Sequence, residues 1–421
     1  MIQAQFVQHI AEIDAPQWDA LRPDDNPFLS HAFLLGLEQH GCLTPRNGWR
    51  PHHLVLREGT KIVAVAPCYL KANSHGEFVF DHAWAEAYWR NGIHYYPKLL
   101  CAVPYSPVTG PRLLTGPAEE PRLRQAAMLA LLEEVQHRQW SSAHINFDQS
   151  NFDDSNYGQS NSGQANSGQA SSGQSNSGQA SEAAPASADA SAWLQRFDWQ
   201  FHWRAPAAGG QPWRHFDDFL AALTAKKRKN IRQERAQVAR AGVRFRQVNG
   251  SQASETDLNA IYDFYLATFA EKGNLPVLTL AFLQHLAQTM PEQVLLILAE
   301  REGKPIAGAL LLRSSTTLYG RYWGCSEALP GLHFETCYYQ GIDYCLANGL
   351  TLFEPGAQGE HKLARGFLPS RTRSLHYIAD PRFRAAIQDS LLREAQWQHS
   401  YREELMQHSP YRADADTYSS T

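Results

Sequence analysis

No two of the six cysteines stand close enough to form a C-x-x-C pair; Cys42, Cys68, Cys101, Cys325, Cys337 and Cys345 are scattered along the 421 residues. That spacing argues against a zinc site or a disulfide framework, so no metal is expected and a reducing compartment fits. No apolar run approaches the roughly 18 residues needed to cross a bilayer. Residues 1–21 carry neither a basic leader nor a sustained apolar core, so no signal peptide is expected and the location expected is the cytoplasm. Charge of one sign is also lacking: 38 Lys and Arg against 42 Asp and Glu leave a net charge of -4. There is thus no global pull towards nucleic acid, and any basic footprint must be local. A nucleophile elbow is absent too, which disfavours Ser or Cys catalysis.

What is present fits a soluble globular protein long enough for two cores, with 43% hydrophobic and 19% charged residues. From Gly158 to Ser181 the sequence repeats every five residues around Gly-Gln-Ser or Gly-Gln-Ala, and alanine-rich filler follows to Ala192. Such a tract has no large apolar side chains to offset its conformational entropy, so it is expected to be disordered and is read as an inert insertion. It separates a strand-like segment, Ala143 to Phe147, from an expected helix start at Trp193.

The flanking parts repeat one unit. Ser30 caps an expected helix through Leu37, and two strand patterns, 53–57 and 62–70, follow around the turn Glu58-Gly59-Thr60-Lys61. Leu278 to Leu286 again predicts a helix, followed by strands 294–299 and 305–312 around Arg301-Glu302-Gly303-Lys304. An internal duplication of an α/β unit is the economical explanation.

Chemistry concentrates in Phe353 to Pro369. Glu354 ends a short apolar run, a Gly-rich turn follows, and Glu360, His361, Lys362 and Arg365 then fall within six residues. A strand, a glycine turn and a polar cluster are how α/β proteins present reactive groups at a sheet's carboxyl edge. For acyl transfer to an amine, His361 or Glu360 would serve as base, while Lys362 or Arg365 would stabilise negative charge or hold a carboxylate or phosphate. A hydrogen-bonded structural histidine and a turn-capping Glu354 are the competing readings. A second cluster is Lys71, His75, Glu77, Asp81, Lys98, Tyr95, Tyr96 and Tyr105. Strand alternation would put Glu77 and Asp81 on one face, to meet an acceptor amine or simply solvent. Pro104, Pro107 and Pro111 suggest a rigid wall beside them. The one strong charge run, Lys226 to Arg240, reads as a helix with Arg228, Arg232 and Arg235 on one face, either a landing strip for phosphates or a solvated surface.

The paired hairpins resemble the central sheet of the GNAT acyltransferase superfamily, and two such units in one chain resemble the Fem-type peptidyltransferases. Stretches that sharpen the likeness are Ser74 to Asp81, Tyr95 to Leu99, Pro104 to Arg112, Phe216 to Leu220 with Lys226 to Arg235, and Leu332 to Tyr339. The resemblance implies an α/β (α+β) fold of tandem GNAT-like halves: 1–150, an insertion at 151–192, a connecting segment 193–250 with the basic helix, a second half 251–400, and a tail 401–421. It implies an N-acyltransferase acting on a small-molecule or peptide amine, linked to peptidoglycan or cell-wall precursors, with acyl-CoA or aminoacyl-tRNA as donor. A non-catalytic binder of such precursors on the same scaffold is the alternative. Lys362 resembles the lysine of the Fem Phe-Lys element. Tyr322, Trp323, His333 and Glu335 join the substrate-binding candidates, and Lys226 with Arg228, Arg232 and Arg235 the donor-binding ones. One departure stands out: the Arg/Gln-x-x-Gly-x-Gly/Ala loop that cradles a pyrophosphate on a helix N-terminus has no copy in Gly320 to Cys325.

Overall fold

The computed structural model describes residues 1–149, 192–206, 213–356 and 359–412. The repeat insertion lies outside them. In chain order the elements of the first part are β1 (Ile2–Val7), α1 (Ala15–Asp19), α2 (His31–Gln39), β2 (Trp49–Pro51), β3 (His53–Glu58), β4 (Lys61–Ala66), β5 (Cys68–Lys71), α3 (His82–Arg90), β6 (Lys98–Cys101), α4 (Pro121–Arg138) and β7 (Ser142–Ile145). Then come β8 (Leu194–Arg204), α5 (Phe216–Ala222), α6 (Ala225–Arg240), β9 (Arg244–Asn249), α7 (Glu255–Glu271), α8 (Leu280–Thr289), β10 (Val294–Arg301), β11 (Lys304–Arg313) and β12 (Thr317–Cys325). The last are α9 (Leu332–Phe334), α10 (Gln340–Asn348), β13 (Leu352–Glu354), β14 (Leu368–Ile378) and α11 (Pro381–Gln407). A π-turn over Glu335–Tyr339 joins α9 to α10 into one continuous helix.

Local chemistry explains several of these. Ser30 caps α2 by accepting the Phe33 N–H, and Thr279 caps α8 in the same way. Glu302 and Gly303 both take positive φ, 54° and 74°, the left-handed pair a tight hairpin between β10 and β11 requires.

The halves repeat one topology and then exchange strands. In each, a helical crossover joins two parallel strands: β6 to β7 through α4, and β12 to β13 through α9 and α10. The strand that follows each pair crosses to the other half. β8 comes after β7 but pairs with β13; β14 comes after β13 but pairs with β7; and β8 and β14 pair with each other over nine residues of register, His202 to Leu194. An eleven-strand sheet results, β2-β5-β6-β7-β14-β8-β13-β12-β11-β10-β9, beside a small sheet β1-β3-β4.

Trp193 therefore leads into a strand and not the expected helix. The aromatic residues Phe197, Trp199, Phe201 and Trp203 alternate along β8, a pattern that suits a pleated surface. The segment 193–250 supplies two sheet strands, β8 and β9, and α11 runs through residue 401, where a tail was expected, with Tyr411 buried against Phe219.

One core runs across both halves. Phe33 on α2 meets Phe282 on α8 edge-on, with ring centroids 5.6 Å apart, and Phe28 meets Tyr319 of β12 at 5.3 Å. Burying each such ring contributes about 1.5–3 kcal/mol. The α2–α8 approach is close enough that a Cβ on Gly36 would lie 2.5 Å from the His285 ring.

Candidate active site

β12 and β13 pair through Thr317–Leu352, Leu318–Phe353 and Tyr319–Glu354, and there the pairing ends. β12 continues beside β11 to Cys325, while the chain after Glu354 turns off through Pro355 and Gly356. Parallel strands that part at their carboxyl ends leave a wedge lined by unpaired backbone, the usual ligand position in such sheets. Gly320 lets the turn pass close by: a Cβ there would stand 3.2 Å from Pro355 Cα.

The polar cluster of residues 360–365 folds as a short 3-10 helix packed against α6, β8 and β14. Lys362 is buried, and its ammonium donates to Gly356 O at 2.6 Å. Burial lowers its pKa to about 8, so the charge is held at neutral pH but readily given up. His361 lies 2.9 Å from Tyr338 Oη through Nε2, and burial, with Lys362 and Arg365 beside it, keeps the imidazole neutral at pH 7. His333 stands between Trp323 and His361, centroids 4.9 and 6.1 Å away, and burial lowers its pKa to about 4. Arg365 stacks 3.3 Å over Phe334 and grips Glu234 of α6 with two donors, at 2.7 and 3.3 Å. Tyr339 also donates to Glu234. Glu360 points outward and accepts from Tyr401 Oη at 2.5 Å. Glu335 faces away from the wedge, paired with Arg235.

The carboxyl end of β13 and residues of β12 meet the first half. Glu354, at the tip of β13, accepts from Thr109 Oγ1 at 2.7 Å and from the Thr109 amide at 3.3 Å. Burial raises its pKa to about 7 against the lowering effect of those bonds, so near neutrality it takes up and releases a proton. Arg321 reaches across to Tyr105 O, and Tyr322 lies at 3.5 Å from the same carbonyl. Gly356, whose carbonyl holds Lys362, also borders the crevice shared by Glu354, Arg321, Gln200 and Pro107. Gly356 thus lies between the Glu354 crevice and Lys362.

The first-half cluster is closed. Lys98 donates to Glu77 at 2.7 Å, to Ser74 at 3.0 Å and to Asp81, which also accepts from Tyr95 Oη at 2.6 Å. Lys71 sits 3.7 Å over the Trp49 ring and donates to His75 O at 3.0 Å. Burial lowers Lys71 and raises Glu77, each to about 7; burial would also raise Asp81, but Lys98 holds it below the usual carboxylate range. Lys71, Glu77, Asp81 and Lys98 are all at most 3% exposed, bonded mainly to one another, and they pin the loop 72–81. Tyr96 joins them through Ser74, 2.8 Å away, whereas the His75 ring is exposed. The strand expected over Glu77–Asp81 does not form: Phe78 has φ 60°, and Asp81 opens α3. The two carboxylates still converge, because a loop, not a pleat, brings them to Lys98. Tyr105 stands apart at the junction of the halves, its ring 5.2 Å from that of Trp49.

On α6, Ile231 and Val238 face the core and Arg235 turns inward to Glu335 and Asp343. Lys226 and Arg232 are exposed and Arg228 half-buried, with Arg232 paired to Asp217.

Two segments, 9–166 and 160–413, match the FemAB-like family, described as peptidoglycan biosynthesis/recognition. The chain belongs to this family. No curated protein matches the sequence. Among solved structures, the C-terminal domain of a putative lysylphosphatidylglycerol synthetase from Agrobacterium fabrum shares 12% identity over 90% of this chain and 96% of its own, with a TM-score of 0.48. FemX shares 12% over 89% and 98%, with a TM-score of 0.47. A tandem GNAT protein from the clavulanic acid biosynthesis pathway shares 12% over 90% and 99%, with a TM-score of 0.43.

Gly331, at the start of α9, takes φ 83°, and a Cβ on it would lie 3.3 Å from Glu234 O and from Val238. The side of the first turn is thus packed against α6. Four residues of the site escaped the sequence: Thr109, Arg321, Gln200 and Glu234. Each acts through a partner in another element, so no local pattern marks it.

Proposed function

We propose that this protein is an N-acyltransferase that moves an acyl or aminoacyl group onto an amine, with the reaction in the wedge between β12 and β13. The observation that carries this reading is Glu354, a buried carboxyl at the tip of β13 whose pKa burial raises to about 7, followed in the chain by the buried Lys362 ammonium held on Gly356 O. Glu354 takes a proton from the incoming ammonium, leaving a neutral nitrogen. That nitrogen attacks the acyl carbon; the N–C bond forms, the C–O bond of an ester or the C–S bond of a thioester breaks, the nitrogen's second proton leaves on the departing oxygen or sulfur, and Glu354 later gives the first proton to solvent. The Lys362 ammonium faces the negative charge that develops on the carbonyl oxygen. The family description makes peptidoglycan precursors the first acceptors to try. The cations Lys226, Arg228 and Arg232 of α6, of which Arg228 is half-buried and Arg232 is paired to Asp217, suit the phosphates of a charged tRNA or of CoA.

The test is to incubate the full chain with charged tRNA or acyl-CoA and an amine-bearing peptidoglycan precursor, and to look for the new amide by mass spectrometry. Product is expected with at least one donor, and Lys362→Met, which keeps the buried volume, should lower its rate roughly 100-fold. Precursor binding without product from any donor would leave only a recognition protein on this scaffold.

A further inference from the structure

Cys68 and Cys101 stand directly opposite each other on the antiparallel strands β5 and β6. The backbone bonds fix the phase of the ladder at that point. The Ala102 amide donates to Pro67 O at 3.1 Å, so residues 67 and 102 form the hydrogen-bonded pair and 68 and 101 the open pair beside it. Both backbones of the open pair turn outward accordingly: Cys68 O accepts from the His52 amide, and Cys101 O from the Asn146 amide just past β7. In an open pair the Cα atoms stand about 4.5 Å apart and the two side chains leave the sheet on one face. A disulfide needs Cα atoms roughly 4.4–6.8 Å apart, so these strands already hold the two residues at bridging distance.

The side chains agree with the ladder. Cys68, Leu99 and Cys101 pack in one apolar cluster, whereas Tyr69 and Leu100 belong to the cluster on the other face of the sheet. Both cysteines are fully buried; burial pushes the Cys101 thiol well up, and Cys68 beside it adds to the shift. Cys101 Sγ donates to Arg112 O at 3.5 Å, a weak bond that a bridge would give up at little cost. Of the other four cysteines, Cys325 lies on β12 opposite Ala307, and Cys42, Cys337 and Cys345 lie outside the strands.

We propose that Cys68 and Cys101 are an oxidisable pair that closes to a cross-strand disulfide by exchange with a small-molecule disulfide. One cysteine thiolate attacks a sulfur of the reagent, forming a mixed disulfide and releasing one thiolate. The other cysteine thiolate then attacks the first cysteine's sulfur and releases the second. Two electrons pass to the reagent, and the two protons lost by the cysteines end on its two thiols. The folded interior keeps both thiols protonated, so exchange takes place as the strands form, or when the short edge strand β2 parts from β5. Once closed, the bridge is shielded from external thiols by the same burial. It closes the loop from Tyr69 to Leu100, which contains the Lys71, Glu77, Asp81 and Lys98 cluster, and stabilises it by restricting the unfolded chain. The wedge takes no part, so this inference stands apart from the acyl-transfer reading.

The test is to refold the full chain in glutathione disulfide, unfold it in an alkylating reagent and map the peptides by mass spectrometry. The peptides that contain Cys68 and Cys101 should be linked, with the other four cysteines alkylated. The oxidised chain should melt about 3 °C or more above the reduced one. Cys68→Ala should remove both the link and the difference in melting temperature. Alkylated or glutathione-capped Cys68 and Cys101, or a link between any other two cysteines, would overturn the proposal. So would a 68–101 link that leaves the melting temperature unchanged or lower, or a melting difference that survives in Cys68→Ala.

Discussion

Glu354 and Lys362 come from one short stretch, yet burial affects them in opposite senses. The carboxyl is pushed up to about 7 and the ammonium down to about 8. Each shift disfavours the charged form that chemistry needs, so both residues are expected to cost stability. In Glu354 the folded chain holds a proton up to about pH 7 that the unfolded chain releases near 4.5. Its contribution to stability is therefore full below pH 4.5 and is lost as the pH rises through 7. Glu354→Gln keeps an acceptor for Thr109 and carries no charge, so its melting temperature at pH 8 should exceed that of the wild type, with little difference at pH 5. A variant less stable at pH 8 would contradict the assigned burial cost. Sequence alone exposed these two residues because strand, glycine turn and polar cluster are contiguous. Arg321 was hidden because a bulge is a property of the pairing between β11 and β12, not of either strand.

At the scale of elements, β7 and β14 are joined by more than a backbone ladder. His144 and His376 are direct cross-strand partners, with their Nδ1 atoms 2.8 Å apart, and His144 also contacts Ser142 Oγ at 2.8 Å. Burial drives His144 down to about 3 and His376 well below its usual value. Both rings are neutral when folded, whereas the unfolded chain protonates them below about pH 6.5. Stability from this pair is thus lost as the pH falls from about 6.5 towards 3. The raised carboxyls Glu77 and Glu354 work in the opposite direction over part of that range, so the comparison must be between variants. A His144→Asn/His376→Asn chain should lose less melting temperature between pH 7 and pH 5 than the wild type; an equal or larger loss would refute the assignment. The hairpins and capped helices were legible because turn residues and caps act locally. β8 was misread as a helix start because its alternating aromatic residues only declare a strand once β13 and β14 stand on either side.

For the whole molecule, the exchange of β8 and β14 ties the halves into one sheet, and the core around Phe28, Phe33 and Phe282 seals the other side. Neither half owns a complete set of strands. Calorimetry should accordingly show a single unfolding transition, and residues 1–149 expressed alone should fail to fold or should aggregate through the unpaired edge of β7. Two separated transitions would show that the halves are independent after all. The duplication itself was readable, since similar helix–hairpin units recur at both ends of the chain. Which half each central strand completes was not, because the partners are contributed from far along the sequence. Among the described residues no helix is long and apolar enough to cross a membrane, and all six cysteines are free.

The claim that unites these scales is that Glu354 receives the acceptor's proton in the wedge. The most direct test is kcat/KM for amide formation as a function of pH, measured for the wild type and for Glu354→Gln. The wild type should gain about tenfold per pH unit below 7 and level off above it, following the carboxyl at about 7. The Gln variant should be slower by about 100-fold or more on the plateau and should lack that limb. A Gln variant that keeps both the rate and the limb would contradict the account.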